Sequence, residues 1–354
     1  MLNLGFFRGK KIFITGHTGF KGSWLTYLLY LSGAKIAGYS LKPKNKHDNF
    51  YLFGLDKKIK NYYNDVRDEK DLKNKIKKFN PDIIFHLAAQ SLVKESFETP
   101  KFTFTTNVIG TLNILEISRK IKNIKSIIIV TSDKCYKNYE RKKGYKEDDE
   151  IGGVDPYSAS KAASENLFYS YLKSFFESKI NVGLVSVRSG NVIAGGDWSK
   201  DRIIPDLIKS IMFKKDFIVR SPNSIRPWMH VFDSINGYLI LSKKIYGNNK
   251  LNGSWNFGPN NNNVMVKEIV NKIIKFIGIK KKVLVKKNKK IKETNALNLD
   301  TQKSRKFLNW RPKLTLTQTL RNTAEWYLIY MKDKKDILKI SEKQIQNFFY
   351  RYNN

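Results

Sequence analysis

A glycine-rich turn near the N-terminus places the strongest constraint on the fold. The segment Gly16–Gly22 follows the apolar run Lys11–Thr15 and leads into a helical stretch, Ser23–Leu31. A tight turn that approaches a pyrophosphate closely needs missing side chains, and a helix N-terminus offers free N–H groups. The spacing is Gly-x-x-Gly-x-x-Gly, and the flanking strand and helix favour a dinucleotide-binding turn. The cofactor-binding residues predicted here are Gly16, His17, Thr18, Gly19, Phe20 and Gly22.

Strands and helices alternate through the first half of the chain. Strands are predicted at 11–15, 35–41, 59–63, 82–87, 126–131 and 182–187, and helices at 23–31, 70–79, 104–121 and from Asp155-Pro156 onward. This alternation predicts an α/β fold, a Rossmann-type doubly wound parallel sheet. After Arg188 the regularity weakens. We therefore expect a dinucleotide-binding domain over 1–187, with a return segment near 229–256, and a smaller C-terminal substrate-binding lobe over 188–354.

The charge of the chain is extreme, with 66 Lys and Arg against 31 Asp and Glu, a net +35. The lysine runs lack the interleaved aromatic residues of a single-strand platform, so we interpret them as solvated surface and expect no dedicated nucleic-acid partner. A single cysteine excludes an intrachain disulfide and fits a reducing, cytoplasmic compartment. No apolar run approaches the roughly 20 residues that cross a bilayer, so no membrane partner is expected.

Two polar clusters carry the predicted chemistry. Tyr157 and Lys161 are four residues apart, so a helix would place both side chains on one face. A nearby ammonium favours the phenolate and lowers the tyrosine pKa, which would let the phenolate take a proton from an alcohol. The segment Ser132–Lys134 follows a predicted strand at its carboxyl end, where catalytic groups concentrate.

Further cofactor contacts are predicted at the ends of later strands. Asp65-Val66 could bind an adenine amino group, and the small residues of the segment Leu87-Ala88-Ala89 would let a cofactor lie against the backbone. The second strand ends without the acidic residue that binds an adenosine ribose. NAD and NADP therefore both stay open, since Lys42 or Lys44 could meet a 2′-phosphate.

The glycine turn, Ala88-Ala89, Asn107 and the Tyr157/Lys161 pair together resemble the extended short-chain dehydrogenase/reductases, the NAD-dependent epimerase/dehydratase family. The resemblance runs specifically from residue 10 to about 260 and more weakly to 312. It implies tightly held NAD, no metal, a cofactor contact at Asn107, and a homodimer built on the helices around Tyr157.

The resemblance also implies a reaction, the dehydration of a nucleotide sugar through an internal redox cycle. Tyr157 would take the proton of the sugar 4-hydroxyl, Lys161 would assist it and Ser132 would bind the 4-oxygen. Asp133 would protonate the departing 6-hydroxyl. Lys134 stands where most hexose-nucleotide dehydratases have Glu, and it would either take the C5 proton or set the protonation of Asp133.

The expected substrate is CDP-glucose, in deoxysugar and O-antigen or other surface-polysaccharide biosynthesis, because the segments at 15–24, 195–198 and 224–228 are similar to those of dehydratases acting on it. The predicted substrate contacts are Gln90, Asn191, Arg202, Arg226 and His230. The alternatives are a C5-inverting UDP-N-acetylhexosamine 4,6-dehydratase, a nucleotide-sugar epimerase, and, from the charge, a non-enzymatic NAD-sensing or nucleic-acid-binding protein.

Overall fold

A seven-stranded parallel sheet organises the protein, which is represented by a computed structural model that describes residues 4–43, 45–141, 143–260, 264–285 and 297–350. The sheet order is β10-β6-β5-β4-β1-β2-β3, which confirms the predicted Rossmann-type fold. The strands of the protein are β1 (Lys11–Thr15), β2 (Lys35–Ser40), β3 (Lys60–Tyr63), β4 (Ile83–His86), β5 (Ser126–Val130), β6 (Gly183–Ser189), β7 (Asn191–Ile193), β8 (Phe217–Val219), β9 (Trp228–His230), β10 (Gly253–Phe257) and β11 (Val283–Val285).

The helices cover both faces of the sheet and build the second lobe. They are α1 (Phe20–Leu31), α2 (Asn49–Leu52), α3 (Leu55–Lys58), α4 (Glu69–Phe79), α5 (Val93–Glu98), α6 (Pro100–Phe104), α7 (Gly110–Arg119), α8 (Pro156–Tyr171), α9 (Ile203–Met212), α10 (Val231–Lys244), α11 (Val266–Ile277), α12 (Gln302–Leu308), α13 (Leu316–Lys332) and α14 (Ile337–Phe349). Among the described residues, no helix is long and apolar enough to span a bilayer.

The predicted helix over 104–121 is instead an interrupted element. A π-helical segment, Thr105–Ile109, joins α6 to α7, and α6 begins at a proline in its first turn. Such π-bulges occur frequently at functional sites. The bulge brings Asn107 out of the regular helical register and against the α8 helix.

Two large apolar cores hold the sheet between its helical layers. One core packs α4, α7 and α8 on one face, and the other packs α1, α10 and the C-terminal helices on the opposite face. Strand β10 pairs with β6, so the chain returns to the sheet after leaving it at the end of β6. The remaining short strands form two separate parallel pairs, β7 with β9 and β8 with β11.

Strand order reverses between β1 and β4, which lie side by side and lead to opposite edges of the sheet. In open α/β sheets, ligands bind in the crevice outside the carboxyl ends of the strands at such a switch point. The glycine turn follows β1, and Leu87 to Gln90 follow β4, so both segments border this crevice.

Candidate active site

A cleft of about 1400 Å³ lies at the carboxyl edge of the sheet, between the sheet and the second lobe. The predicted cofactor and catalytic residues that line it are Gly16, Thr18, Gly19, Phe20, Gly22, Asp65, Val66, Leu87, Ala88, Ala89, Ser132, Asp133, Lys134, Tyr157 and Lys161. Of the predicted substrate contacts, Gln90, Asn191, Arg202 and Arg226 line it as well. Segments far apart in sequence therefore meet in one site.

The glycine turn forms a cradle at the floor of the cleft. Gly16 has a φ of +72°, and a Cβ there would lie 2.6 Å from the backbone nitrogen of Ala88. Only glycine permits this close approach of the β1 and β4 ends. Thr18 and Ser40 hydrogen-bond through their hydroxyls at 2.8 Å, which joins the turn to the end of β2. The N-terminus of α1 then faces the cleft, as a dinucleotide diphosphate requires.

Helix α8 carries Tyr157 and Lys161 into the cleft. Asp155 caps the helix by accepting a hydrogen bond from the Ser158 N–H at 3.0 Å, and Pro156 occupies the first helical position. Both site residues are buried, and the Lys161 ammonium donates to the Val130 carbonyl at 3.5 Å. The capped helix therefore presents the pair next to the end of β5.

The Tyr157 phenol does not have the lowered pKa predicted from sequence. Burial raises its pKa to about 12, although its hydrogen bond with Ser132 and the charge of Arg202 oppose that shift. Burial and the nearby Lys21 ammonium instead lower the pKa of Lys161 to about 8. Burial of the phenol therefore outweighs the lowering of its pKa that was expected from the Lys161 ammonium.

The segment Ser132–Lys134 forms a tight turn after β5. Ser132 donates to Asp133 Oδ1 at 2.9 Å and accepts from the Lys134 N–H at 3.2 Å. Burial raises the pKa of the Asp133 carboxyl, against the opposing charges of Lys134 and Arg226. A carboxyl that holds its proton more tightly is suited to act as an acid.

Gly190 allows Asp133 to lie close to the second lobe. A Cβ on Gly190 would lie 2.3 Å from Pro227 Cγ and 3.1 Å from Asp133 Oδ2. Arg226 precedes Pro227, and its charge acts on the Asp133 carboxyl. Arg226 therefore lies near Asp133 in the same cleft.

Gly190→Ala is expected to lower kcat on the order of 10²-fold, because a displacement of about 1 Å at a catalytic group has that effect. Steady-state kinetics and thermal unfolding of the variant would measure it. Gly258→Ala is the matched control, since its Cβ would meet Leu299 no closer than 3.3 Å. A kcat for Gly190→Ala equal to that of the control would contradict this account of the close approach.

Three predicted side chains, those of His17, His230 and Asn107, do not line the cleft. The ring of His17 is fully buried behind the turn, where its Nε2–H donates to Asn61 Oδ1 at 2.9 Å, and burial lowers its pKa to about 4. His230 caps α10 by accepting from the Phe232 N–H at 3.2 Å, and burial lowers its pKa to about 3. The predictions of a cofactor contact for the His17 side chain and a substrate contact for His230 are therefore wrong.

Asn107 acts beneath the site rather than within it. Its side chain accepts from the Gln90 N–H at 2.9 Å and donates to the Gln90 carbonyl at 3.0 Å and to Ser160 Oγ at 2.8 Å. These bonds tie the loop after β4 to α8. The structure does not place this side chain on the lining of the cleft, where a direct cofactor contact was predicted, but against the Gln90 backbone.

Several contacts refine the other predicted residues. The Asp65 carboxylate pairs with Arg67 at 2.7 Å, and Arg202 pairs with Asp197 at 3.2 Å and approaches Ser91 Oγ at 3.3 Å. Cys135, which follows the Ser132–Lys134 turn, is a buried free thiol. At the end of β2, Ser40 and Leu41 line the cleft, whereas Lys44 lies outside the described residues.

Sequence reasoning missed Lys21, which lies within the glycine turn. Its ammonium donates to the Tyr238 hydroxyl at 3.0 Å and to Ser189 Oγ at 3.4 Å, and it lines the cleft. The signal was a charged residue between the last two glycines, in a turn already predicted to face the cofactor. The contacts link the turn to β6 and α10.

Comparison with known proteins places this site in a family. The model of the GDP-mannose 4,6-dehydratase family matches residues 13–323 of the chain. The chain belongs to that family. A CDP-glucose 4,6-dehydratase from Salmonella typhimurium is 40% identical to this family member, and the match covers 98% of both chains.

Solved structures of lower sequence similarity share the fold of this dehydratase-family chain. A UDP-glucose 4-epimerase from Thermotoga maritima gives a TM-score of 0.80 at 21% identity, covering 91% of this chain and 100% of that chain. A dTDP-glucose 4,6-dehydratase from Bacillus anthracis, solved in complex with NAD, gives 0.78 at 22% identity, covering 94% and 100% respectively.

Proposed function

We propose that the protein is a hydro-lyase that converts CDP-glucose to CDP-4-dehydro-6-deoxyglucose and water, using bound NAD. The observation that carries the proposal is the meeting of Tyr157 and Lys161 with the Ser132–Lys134 turn in one cleft above the glycine turn. The relative that is 40% identical over nearly the whole chain supports the choice of CDP-glucose. A role in deoxysugar and surface-polysaccharide synthesis in the cytoplasm is part of this proposal.

The cradle around Gly16 suits a dinucleotide because the backbone approaches closely and the N-terminus of α1 faces the cleft. Thr18, Ala88 and Ala89 would hold the cofactor along the sheet edge. No described carboxylate lines the cleft at the β2 end, where Ser40 and Leu41 would face the adenosine ribose. When bound, the cofactor would supply a hydride acceptor for the hydrogen at C4 and, in its reduced form, a hydride donor for C6.

The residues divide the remaining work between oxidation and elimination. The Tyr157 phenolate, stabilised by Ser132 and Lys161, takes the proton of the 4-hydroxyl and becomes the neutral phenol. The resulting ketone acidifies C5–H. Asp133 donates a proton to the departing 6-hydroxyl, and its raised pKa keeps that proton available. Arg226 and Arg202, cationic and beside the catalytic groups, would hold the phosphorylated sugar in place.

A substrate panel tests the proposal. The protein is incubated with CDP-, UDP-, GDP- and dTDP-glucose and with UDP-N-acetylglucosamine, with and without NAD⁺, and the 4-keto-6-deoxy products are measured. We expect product from CDP-glucose above all others. A C5-inverted product from UDP-N-acetylglucosamine alone would establish the alternative dehydratase, and no product from any nucleotide sugar would overturn the proposal.

Lys134→Ala is expected to slow exchange of solvent deuterium into C5 on the order of 10²-fold, because Lys134 lines the cleft directly beside Asp133. Mass spectrometry of the sugar would follow the exchange. Lys143→Ala, which removes an exposed lysine that does not line the cleft, is the control. Normal exchange in Lys134→Ala would exclude Lys134 as the C5 base and leave the second version, in which it sets the protonation of Asp133.

We also propose a homodimer built on α6, α7 and α8. Large apolar side chains on α6 and α8 are exposed, including Phe104 at 38% and Tyr169 at 60%, and exposed apolar patches commonly mark interfaces. Phe104→Glu with Tyr169→Glu is expected to give monomers in light scattering, whereas Phe213→Glu, exposed on the second lobe, should not. An unchanged mass in the double variant would contradict the proposed interface.

A further inference from the structure

A buried ion pair lies directly behind the catalytic groups. Glu165 is one helical turn beyond Lys161 on α8, and its carboxylate pairs with Arg188 of β6 at 2.7 Å. The two side chains are 1% and 4% exposed. The Glu165 carboxylate also accepts from Ser186 Oγ at 2.8 Å, from Ser254 Oγ at 3.1 Å and from the Thr131 hydroxyl.

The pair holds the chain on both sides of the Ser132–Lys134 turn. Thr131, which binds Glu165, immediately precedes Ser132. Tyr136 lies two residues after Lys134, and its hydroxyl accepts from Arg188 Nη1 at 2.8 Å. The Arg188 guanidinium also lies over the Tyr136 ring, at 4.8 Å from its centroid.

The same arginine extends the support into neighbouring segments. Arg188 Nη1 donates to the Glu147 carbonyl at 2.9 Å, and the Tyr136 hydroxyl donates to Asn256 Oδ1 at 2.7 Å. Asn256 lies on β10, so the end of the catalytic turn is fixed to the returning strand of the sheet. The turn is thus attached to α8, β6 and β10 through charged and polar contacts.

Fold stability alone does not require charges at this position. Taking two ions out of water is costly, and well-packed apolar residues of similar volume often stabilise a protein equally or better. What an apolar pair cannot provide is directional bonding to Thr131 and Tyr136 at once. Catalytic groups need placement within about 0.5 Å, which directional contacts from a rigid helix and sheet supply.

We propose that Glu165 and Arg188 are positioning residues for the elimination step, which hold the Ser132–Lys134 turn in place against Tyr157 and Lys161. Neither side chain lines the cleft, so the pair acts through the groups that it holds. The inference rests on the proposed function for its kinetic consequence. Its structural consequence, a fixed turn, does not depend on the identity of the substrate.

The charge of Glu165 also acts on Lys161. Lys21, in the N-terminal turn of α1, lowers the Lys161 pKa, whereas Glu165 and Cys135 raise it. The neutral His86 of β4 also interacts with Lys161. Removing the Glu165 charge would therefore lower the Lys161 pKa further below about 8. The ammonium form would then be lost at a lower pH, and the alkaline limb of the kcat profile would move in that direction.

Two variants and one control test the inference. Glu165→Gln removes the charge, and the double variant Glu165→Leu/Arg188→Met replaces the pair with apolar residues that should fold. Asp233→Asn is the control, because it alters a buried carboxylate on α10 that accepts from the Lys313 and Leu314 N–H groups rather than from the Ser132–Lys134 turn. For each protein, CDP-glucose affinity, elimination rate, pH profile and amide hydrogen exchange over residues 131–136 are measured.

Both variants at the pair should bind CDP-glucose within about 3-fold of the parent but eliminate water on the order of 10²-fold more slowly. Amide exchange over residues 131–136 should accelerate, and the alkaline limb of Glu165→Gln should move to lower pH. Asp233→Asn should change none of these. Normal elimination and exchange in the double variant, or the same selective loss in Asp233→Asn, would overturn the inference. If the parent dehydrates no nucleotide sugar, the proposed function fails, while the exchange measurement still decides whether the pair fixes the turn.

Discussion

Tyr157→Phe is expected to lower kcat on the order of 10³-fold while leaving the affinity for CDP-glucose within a few-fold of the parent value. Phenylalanine keeps the packing of a side chain that is 7% exposed but removes the only phenolic oxygen on α8 that lines the cleft. Without that oxygen, the 4-hydroxyl has no partner to take its proton, so the first step is blocked. Product formation and substrate titration by calorimetry would measure the two quantities.

Tyr169→Phe controls for the loss of a tyrosine hydroxyl from the same helix, because Tyr169 does not line the cleft. It should leave kcat unchanged. A Tyr157→Phe variant that forms product at more than a tenth of the parent rate would remove Tyr157 from the role of base. Because burial raises the pKa of the phenol to about 12, Tyr157 can act as the base only if the phenolate is stabilised as substrate binds, and this variant tests that requirement.

Asp133→Asn is expected to slow loss of water on the order of 10²- to 10⁴-fold and to spare oxidation at C4. The amide keeps the shape of the carboxyl and can still accept from Ser132, but it has no acidic proton to give to the departing 6-hydroxyl. Intermediate CDP-4-keto-glucose should therefore accumulate. Quenching with sodium borodeuteride and measuring deuterium at C4 would quantify it.

Asp216→Asn, on the exposed surface before β8, is the control for loss of a carboxylate. It should accumulate no ketone above the parent level. Equal loss of oxidation and elimination in Asp133→Asn would contradict the division of labour between Tyr157 and Asp133, because it would place Asp133 in the first step as well.

The parts of the fold that follow local periodicity were predictable from the sequence. The β1 strand has the predicted bounds, and the glycine turn lies at the switch point between β1 and β4. The π-helical Thr105–Ile109 segment was not predictable, because no pattern of apolar residues distinguishes it from a continuous helix.

The positions of site residues were predictable where backbone geometry fixes them. Side-chain contacts and pKa values that depend on burial were less predictable. Tyr157 and Lys161 share one helix face, as their spacing requires. His17 sits in the motif, but its ring fills space behind the turn, against Gly38 and Asn61, which only the folded chain reveals. The pKa of Tyr157 depends on desolvation, and the Glu165–Arg188 pair joins residues of α8 and β6 that no short motif connects.

The central claim is an internal redox cycle on CDP-glucose, and the fate of the C4 hydrogen tests it most directly. CDP-(4-²H)glucose is incubated with the protein and NAD⁺, and the deuterium in the 4-keto-6-deoxy product is located by NMR. We predict that deuterium from C4 is recovered at C6 of the product. A dehydrated product without deuterium at C6, or no dehydrated product at all, would contradict the account.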